Sequence, residues 1–250
     1  MAERTGIDFG NLSRVENGKR PPNARLAEAC DRVFPERRGW FSDWYDESRS
    51  WSEVPAGFKP WAEVEERSAT LRDWYPGIVT GLLQTADYAG ALLATSPTAS
   101  AGVTAARLAS RMERQRRVLE RDNPPAAWFV VDEMALYRMV GSPEVMAGQC
   151  TRLAEVARLS DVTLSVMPAV AHPGNESGFV LADDAVYAEH AAGGYVFTDE
   201  QTVSSLAARF DTLRGESYRV SESRGRIERM AGVWARGVSP ATAGQKVASA

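Results

Sequence analysis

Apolar positions recur along this chain at two periods, and the change falls near Pro124–Pro125. Ahead of that point the spacing is helical. Between Asn23 and Phe34, residues Leu26, Ala27, Cys30 and Val33 step by three and four and define one helix face. Upstream, Gly6 and Gly18 punctuate short helices. From Trp61 to Tyr75, residues Trp61, Val64, Ala69, Leu71 and Trp74 roughly share a side, which predicts a helix. Leu82, Leu83, Tyr88, Leu92 and Leu93 predict another over 82–94, and a long helix at about 103–121 follows the loop TSPTASAG.

Beyond the two prolines, short runs appear. Ala127 to Val131 reads as a buried strand and 132–139 as a short helix. Gly141-Ser142-Pro143 is a helix start, with Ser142 as N-cap and proline at the first helical position, and that helix extends to Leu159. Thr163 to Met167 alternates as a strand. Gly178–Leu181 and Ala185–Ala188 form a hairpin around Asp183–Asp184, Gly194–Thr198 adds a strand, and helices are expected over 200–214 and 221–236. The expected fold is α+β and mainly helical: a small N-terminal helix-turn-helix remnant, then a larger helical domain with a small mixed or antiparallel sheet. The predicted boundaries are 1–36 for the partial helix-turn-helix, 37–60 for a Trp/Pro-rich connector, 61–236 for the large domain and 237–250 for a disordered tail.

Composition narrows the classes. Of 250 residues, 44% are hydrophobic and 25% charged, as in an ordinary globular protein. No apolar run approaches the ~18 residues of a membrane span, and MAERTGIDFG lacks the basic-then-apolar pattern of a secretory signal. Two cysteines (Cys30, Cys150) and two histidines (His172, His190) leave no disulfide framework and no Cys- or His-rich metal centre. The expectation is a cytoplasmic protein with no cofactor, no metal and no membrane association. The formal charge of −4 hides a split: residues 1–40 carry eight basic and six acidic side chains, the remainder an acidic excess. A mildly basic head on an acidic body suits a nucleic-acid reader joined to another function.

The informative stretch is AERTGIDFGNLSRVENGKRPPNARLAEACDRVF. A helix-turn-helix needs a short helix, a tight turn and a second helix that enters the major groove. Here residues 2–5 end the first helix, Gly6 makes the turn and Asp8 caps a helix from Phe9 to Asn17. Leu12 and Val15 face a core, leaving Phe9, Gly10, Asn11 and Arg14 toward the groove. Asn and Arg are shaped to read adenine and guanine edges. Asn17-Gly18 ends the helix with a left-handed residue, and Lys19 and Arg20 follow where phosphates lie. The plainer alternative is a pair of amphipathic helices with solvated charges, in which Glu16 pairs with Arg14 or Arg20.

SRVENGKRPP resembles the S-R-I-E-x-G-x-R-x-P signature of the xenobiotic-response-element type of helix-turn-helix, and NARLAEACDRVF matches that family's next helix. Relative to that pattern the motif is entered partway. Either coding sequence for the earlier helices lies upstream of Met1, or the DNA-binding unit is a remnant. The body is similar to the actinobacterial Scr-type, antitoxin-like transcriptional regulators. The resemblance lies in WAEVEERSATLRDWYPGIVTGLLQTADYAGALL, RLASRMERQRRVLERDNPP, VVDEMALYRMVGSPEVMAGQ, VTLSVMP, GFVLADDAVYAEHAAGGYVF and RFDTLRGESYRVSESRGRIE. Val79-Thr80 departs from the Ile/Val-Pro usual there. The resemblance implies a cytoplasmic regulator, often acting with a small protein encoded nearby, and no known catalytic site.

Candidate chemistry in the body is sparse. Arg107, Arg111, Arg114, Arg117 and Arg121 recur on one predicted helix. They form either a stripe for an anion or nucleic acid, or a solvated face laced with Glu113, Glu120 and Asp122. Gln84, Tyr88, Arg111 and Trp128 are the candidate lining of a small-molecule pocket, with Thr85 as an alternative helix cap. Asp132-Glu133 and Glu189-His190 are adjacent pairs, and neighbours in a strand or helix diverge, which disfavours joint acid–base work. His172 sits in the loop AHPGNESG, and Cys150 lies in a predicted core. No Gly-rich phosphate loop and no Gly-x-Ser-x-Gly occurs, so no catalytic residue is assigned.

The leading expectation is a DNA-binding transcriptional regulator, a homodimer on a two-fold operator, whose C-terminal domain senses a small-molecule effector or partner protein. The alternative from another class is a vestigial helix-turn-helix on a small-metabolite-binding protein or biosynthetic enzyme. A third is an interaction module that masks a small toxic protein.

Overall fold

The computed structural model describes residues 2–17, 20, 22–37, 39–42, 45, 58–96, 100–174, 177–190 and 193–237. The chain divides into two compact units, Met1–Val54 and Pro55–Ala250.

In the first unit, α1 (Ala2–Thr5) and α2 (Phe9–Glu16) meet at Gly6, whose φ of +65° is the left-handed conformation that glycine adopts without strain. Asp8 starts α2 by accepting a hydrogen bond from Asn11 N at 3.0 Å. Helix α3 (Ala24–Val33) begins the same way, with Asn23 Oδ1 accepting from Leu26 N. Leu12, Leu26 and Cys30 form a small core against Ala2, Ile7, Val15 and Phe41. Phe41 and Ser42 donate their backbone N–H groups to the Asp31 carboxylate, and Phe41 lies beside Phe34. Part of the expected connector therefore packs within this unit. Asn17 caps the end of α2 with φ −91°, and Gly18, where the left-handed residue is expected, lies outside the described residues with Lys19 and the tail beyond Gly237.

The second unit is built on a six-stranded mixed sheet of order β3-β2-β1-β4-β5-β6. Helix α4 (Phe58–Arg67) leads into β1 (Thr70–Tyr75). A 3₁₀ turn at Gly81–Leu83, then α5 (Ala86–Leu93) and α6 (Ala101–Leu119), carry the chain to β2 (Ala126–Asp132). Helices α7 (Glu133–Tyr137) and α8 (Pro143–Val156) lead to β3 (Val162–Met167). Strands β4 (Phe179–Ala182), β5 (Ala185–His190) and β6 (Gly193–Phe197) precede α9 (Glu200–Glu216) and α10 (Val220–Ala235). Strands β1, β2 and β3 are parallel, joined by helical crossovers; β4, β5 and β6 run antiparallel. The α+β, mainly helical expectation holds.

Both sheet faces are buried, which explains the near-continuous apolar strands. Leu71, Phe129, Val166 and Val180 face a large core with Trp61, Tyr88, Met146, Leu153, Ile227 and Trp234. Trp74, Val130, Phe179 and Leu181 face the other side, where α9 supplies Phe210 and Leu213. Two-sided burial also misleads the periodicity. The helix predicted from Trp61 to Tyr75 is a helix that stops at Arg67 and a strand that starts at Thr70. Leu71 and Trp74 are apolar because they serve opposite cores, not one helix face. The helix predicted from 82 likewise starts only at Ala86, because Thr85 caps it by accepting from Tyr88 N. Asp183 closes the β4–β5 turn at φ +49°, and its carboxylate accepts from Ala69 N, Thr70 N and Thr70 Oγ1, tying that turn to the start of β1.

Candidate nucleic-acid surface and a buried polar network

Helix α2 is amphipathic over two turns. Leu12 faces inward with 6% of its surface exposed, while Phe9 is 75% exposed, and Gly10 and Arg14 are exposed beside it. The Phe9 ring takes no part in the small core that holds α2. Asn11 is half-buried, and its side-chain oxygen accepts from both Arg14 Nη2 at 2.9 Å and Arg20 Nη1 at 2.7 Å. Arg20 returns to the helix because its backbone N–H donates to Arg14 O at 3.1 Å. A hollow of about 260 Å³ beside these residues is lined by Asp8, Asn11, Arg20, Asn23 and Arg25, together with apolar Ile7, Val15 and Leu26. The structure thus brings Phe9, Gly10, Asn11, Arg14 and Arg20 to one unit, with Lys19 outside the described residues. Glu16 is exposed, and among the described residues it forms no ion pair with Arg14 or Arg20. The expectation that it would is corrected: both guanidiniums turn to the Asn11 amide instead.

In the second unit the polar chemistry lies inside. Arg114 of α6 grips the fully buried Glu65 of α4 with two hydrogen bonds, at 2.5 and 2.7 Å, and Trp61 Nε1 adds a third to the same carboxylate at 3.3 Å. Burial works against the Arg114 charge, but Glu65 holds its pKa above the ordinary value. Asp73, on the same face of β1 as Leu71, is 1% exposed. Its Oδ2 accepts from Thr80 Oγ1 at 2.6 Å, while its buried Oδ1 has no hydrogen-bond partner among the described residues. Burial pushes its pKa up to about 7 against the opposing pull of Thr80 and Arg114. Tyr75 donates to Glu189 Oε2 at 2.6 Å, and burial together with that carboxylate raises the phenol's pKa. Tyr187 stacks on Trp61 with ring centroids 5.7 Å apart, and its hydroxyl fills the space where a side chain at Gly194 would lie.

Of the expected pocket residues, three converge. Arg111 Nη1 donates to Gln84 Oε1 at 2.5 Å, and Gln84 Nε2 donates to Val79 O at 2.6 Å. Val79 N in turn donates to the Tyr88 hydroxyl at 3.3 Å. Burial, and then the neighbouring Arg114, lower the Arg111 pKa. Trp128 lies elsewhere: adjacent strand residues alternate, so it packs with Val130 on the opposite sheet face. It is not part of this lining. The arginine stripe is split as well. Arg117 pairs with Glu113 on the exposed surface, Arg111 and Arg114 point inward, and Arg121 binds the Glu66 and Ser68 carbonyls at the α4–β1 turn.

The remaining candidates serve the fold. Asp132 caps α7 through Met134 N and also accepts from Gly77 N at 2.6 Å. Glu133 accepts from Arg226 at 2.9 Å and from Ala169 N at 3.1 Å. His172 meets Trp74 edge-on, and its Nδ1 accepts from Gly174 N, while the His190 side chain lies outside the described residues. Cys150 is buried, with its thiol pushed up to about 12 by desolvation. Among the described residues, no group of three or more His, Cys, Asp or Glu side chains is placed to hold a metal ion, and no helix is long and apolar enough to cross a membrane.

Residues 58–229 match the profile of a family described as Domain of unknown function (DUF5753), which covers more than half of the chain. The chain belongs to the DUF5753 family. No curated protein and no solved structure matches it. The DUF5753 match begins at the first residue of α4 and ends within α10, so it spans the whole sheet and the buried network. Glu65, Asp73, Gln115, Gln149 and Tyr187 are not singled out by the sequence, and Thr80 stands out there only as a departure from the resembled pattern. Gln149, fully buried, ties Thr85 N to Leu83 O, and Gln115 binds the Gly81 and Gln84 carbonyls. The one available signal was polar residues at inward positions of otherwise apolar elements, which becomes legible only once strand and helix are told apart.

Proposed function

We propose that this protein is a DNA-binding transcriptional regulator, in which α2 of the N-terminal unit enters the major groove and the DUF5753 domain senses an effector or partner. The observation that carries the reading is the division of α2. Leu12 anchors it to its own small core, while Phe9 and Arg14 are exposed on the other side, with Arg14 held by Asn11 of the same helix. Exposed Arg14, Arg20 and Arg25 supply the positive charge that sequence-independent phosphate contact needs. One such helix reads few bases, so the regulator acts as a homodimer on a symmetric site, in the cytoplasm. Selection of bound duplexes from a random library by the full chain is the test. Enrichment of a two-fold-symmetric sequence, with affinity that falls steeply between ~50 and ~200 mM salt, supports the reading. Absence of duplex binding at the low end of that range overturns it.

A second reading is favoured by the unpartnered Oδ1 of Asp73. A buried acceptor with no donor is costly, and a small molecule carrying an N–H or O–H group would satisfy it. On this reading the DUF5753 domain is a metabolite binder in its own right. A ligand that raises the melting temperature of the wild type but not of Asp73→Asn identifies it, and equal shifts in both argue against it.

A further inference from the structure

Asn11 binds two cations: its oxygen accepts from Arg14 and from Arg20, and both guanidiniums are exposed. Two guanidinium donors fix the amide orientation, because only the oxygen can face them. That oxygen is therefore occupied. Reading adenine requires an amide that accepts from N6 while donating to N7, and here only the donor half remains. The adenine-reading role expected for Asn11 does not fit this arrangement.

What the arrangement does fit is an anion. Two like charges drawn to one uncharged oxygen repel each other, and the amide offsets none of that charge. Among the described residues no carboxylate pairs with either guanidinium, since Asp8 is engaged with Asn11 N and Glu16 stands apart. Each guanidinium has five N–H donors and, among the described residues, spends one on Asn11. The return of Arg20 N to Arg14 O holds the two stems together. The hollow that opens beside them is lined by Asn11, Arg20 and Arg25 and by one carboxylate, Asp8, which is held by Asn11 N.

We infer that Asn11 is a positioning residue: it aligns Arg14 and Arg20 as one two-pronged clamp, and the ligand of that clamp is a backbone phosphate of duplex DNA. The inference rests on the DNA-binding reading above and adds a division of labour to it. Asn11 and the two arginines supply affinity without sequence preference, which leaves Phe9 and the α2 N-terminus to contact base edges.

The test uses the full chain and two duplexes, one of mixed sequence and one carrying the selected site, each titrated over a salt series. Arg14→Gln and Arg20→Gln each reduce the slope of log affinity against log salt by about 0.9. Asn11→Ala weakens both duplexes by the same factor, roughly three- to tenfold, with the slope kept. Asn11→Asp keeps an oxygen for both guanidiniums but cancels one charge, so it lowers the slope by about one. Loss confined to the selected duplex in Asn11→Ala makes Asn11 a base reader and overturns the inference, as does an unchanged slope in either arginine variant. If the wild type binds neither duplex, the DNA reading has failed, and inorganic phosphate then probes the clamp alone. Nε–H resonances of Arg14 and Arg20 that titrate together in wild type and separately in Asn11→Ala keep the clamp as an anion site. Resonances that do not move remove it.

Discussion

The two units place their polar side chains in opposite environments. On α2, Asn11, Arg14 and Arg20 meet in water, where each hydrogen bond replaces one to solvent and contributes little to stability. In the DUF5753 domain, Glu65, Asp73 and Arg114 meet between a helix pair and a sheet face, where every unmet bond costs the full desolvation of the group. Removal of a side chain should therefore alter ligand binding in the first region and folding in the second. The contrast also separates two kinds of incomplete bonding. The spare donors of Arg14 and Arg20 are inexpensive because water fills them. The bare Oδ1 of Asp73 is expensive, because no solvent reaches it to replace the missing donor.

The sharpest way to break the comparison is Arg114→Met. It strands Glu65 without its bidentate partner inside the core and should lower the unfolding free energy of the DUF5753 domain by roughly 3–5 kcal/mol. Urea midpoints measure this, and a loss under about 1 kcal/mol would place the pair with ordinary surface bridges. Next in size is a pH effect at Asp73. Its carboxyl titrates near 7 when folded and near 3.8 when exposed, so the folded state holds the proton more tightly. Its contribution to stability is fully present below about pH 4 and is lost as pH rises through about 7, a few kcal/mol in all. Asp73→Asn should flatten that slope, and identical pH profiles for the two proteins would refute the assignment.

Smaller effects lie in the first unit. Leu12→Ala empties part of a core of few residues and should cost about 2–3 kcal/mol there, read by hydrogen exchange of α2 and α3 amides. The DUF5753 domain should unfold at an unchanged midpoint. The smallest expected change is Phe9→Ser: within about 0.5 kcal/mol on stability, because the ring is already in water, yet with a measurable loss of affinity for the selected duplex. A large stability loss at Phe9 would mean that the ring packs against something, and the functional reading of α2 would lose its support.

The helices with single apolar faces, the caps at Asp8, Thr85 and Ser142, and the hairpin at Asp183–Asp184 are all legible in the chain, because each depends on neighbours a few residues apart. So is the α2 surface, whose candidate residues are nearly contiguous. The Trp61–Tyr75 segment is not, since a strand buried on both faces has no polar side and its apolar spacing imitates a helix. The buried network is harder still. Glu65, Asp73, Arg114 and Tyr187 are drawn from α4, β1, α6 and β5, and nothing in the spacing of 65, 73, 114 and 187 relates them.

What the sequence by itself determined is therefore local: where helices start and stop, which side of α2 is apolar, and that polar chemistry is scarce in the body. The tertiary structure decided which polar groups pair. It sent Trp128 to the far face of the sheet, turned Arg111 and Arg114 inward from a stripe that includes the solvated Arg117, and left one oxygen of Asp73 without a donor. The reason is physical. Backbone propensity and capping act over one or two turns of chain, whereas the cost of burying a charge is fixed by whatever distant segment the packing brings against it.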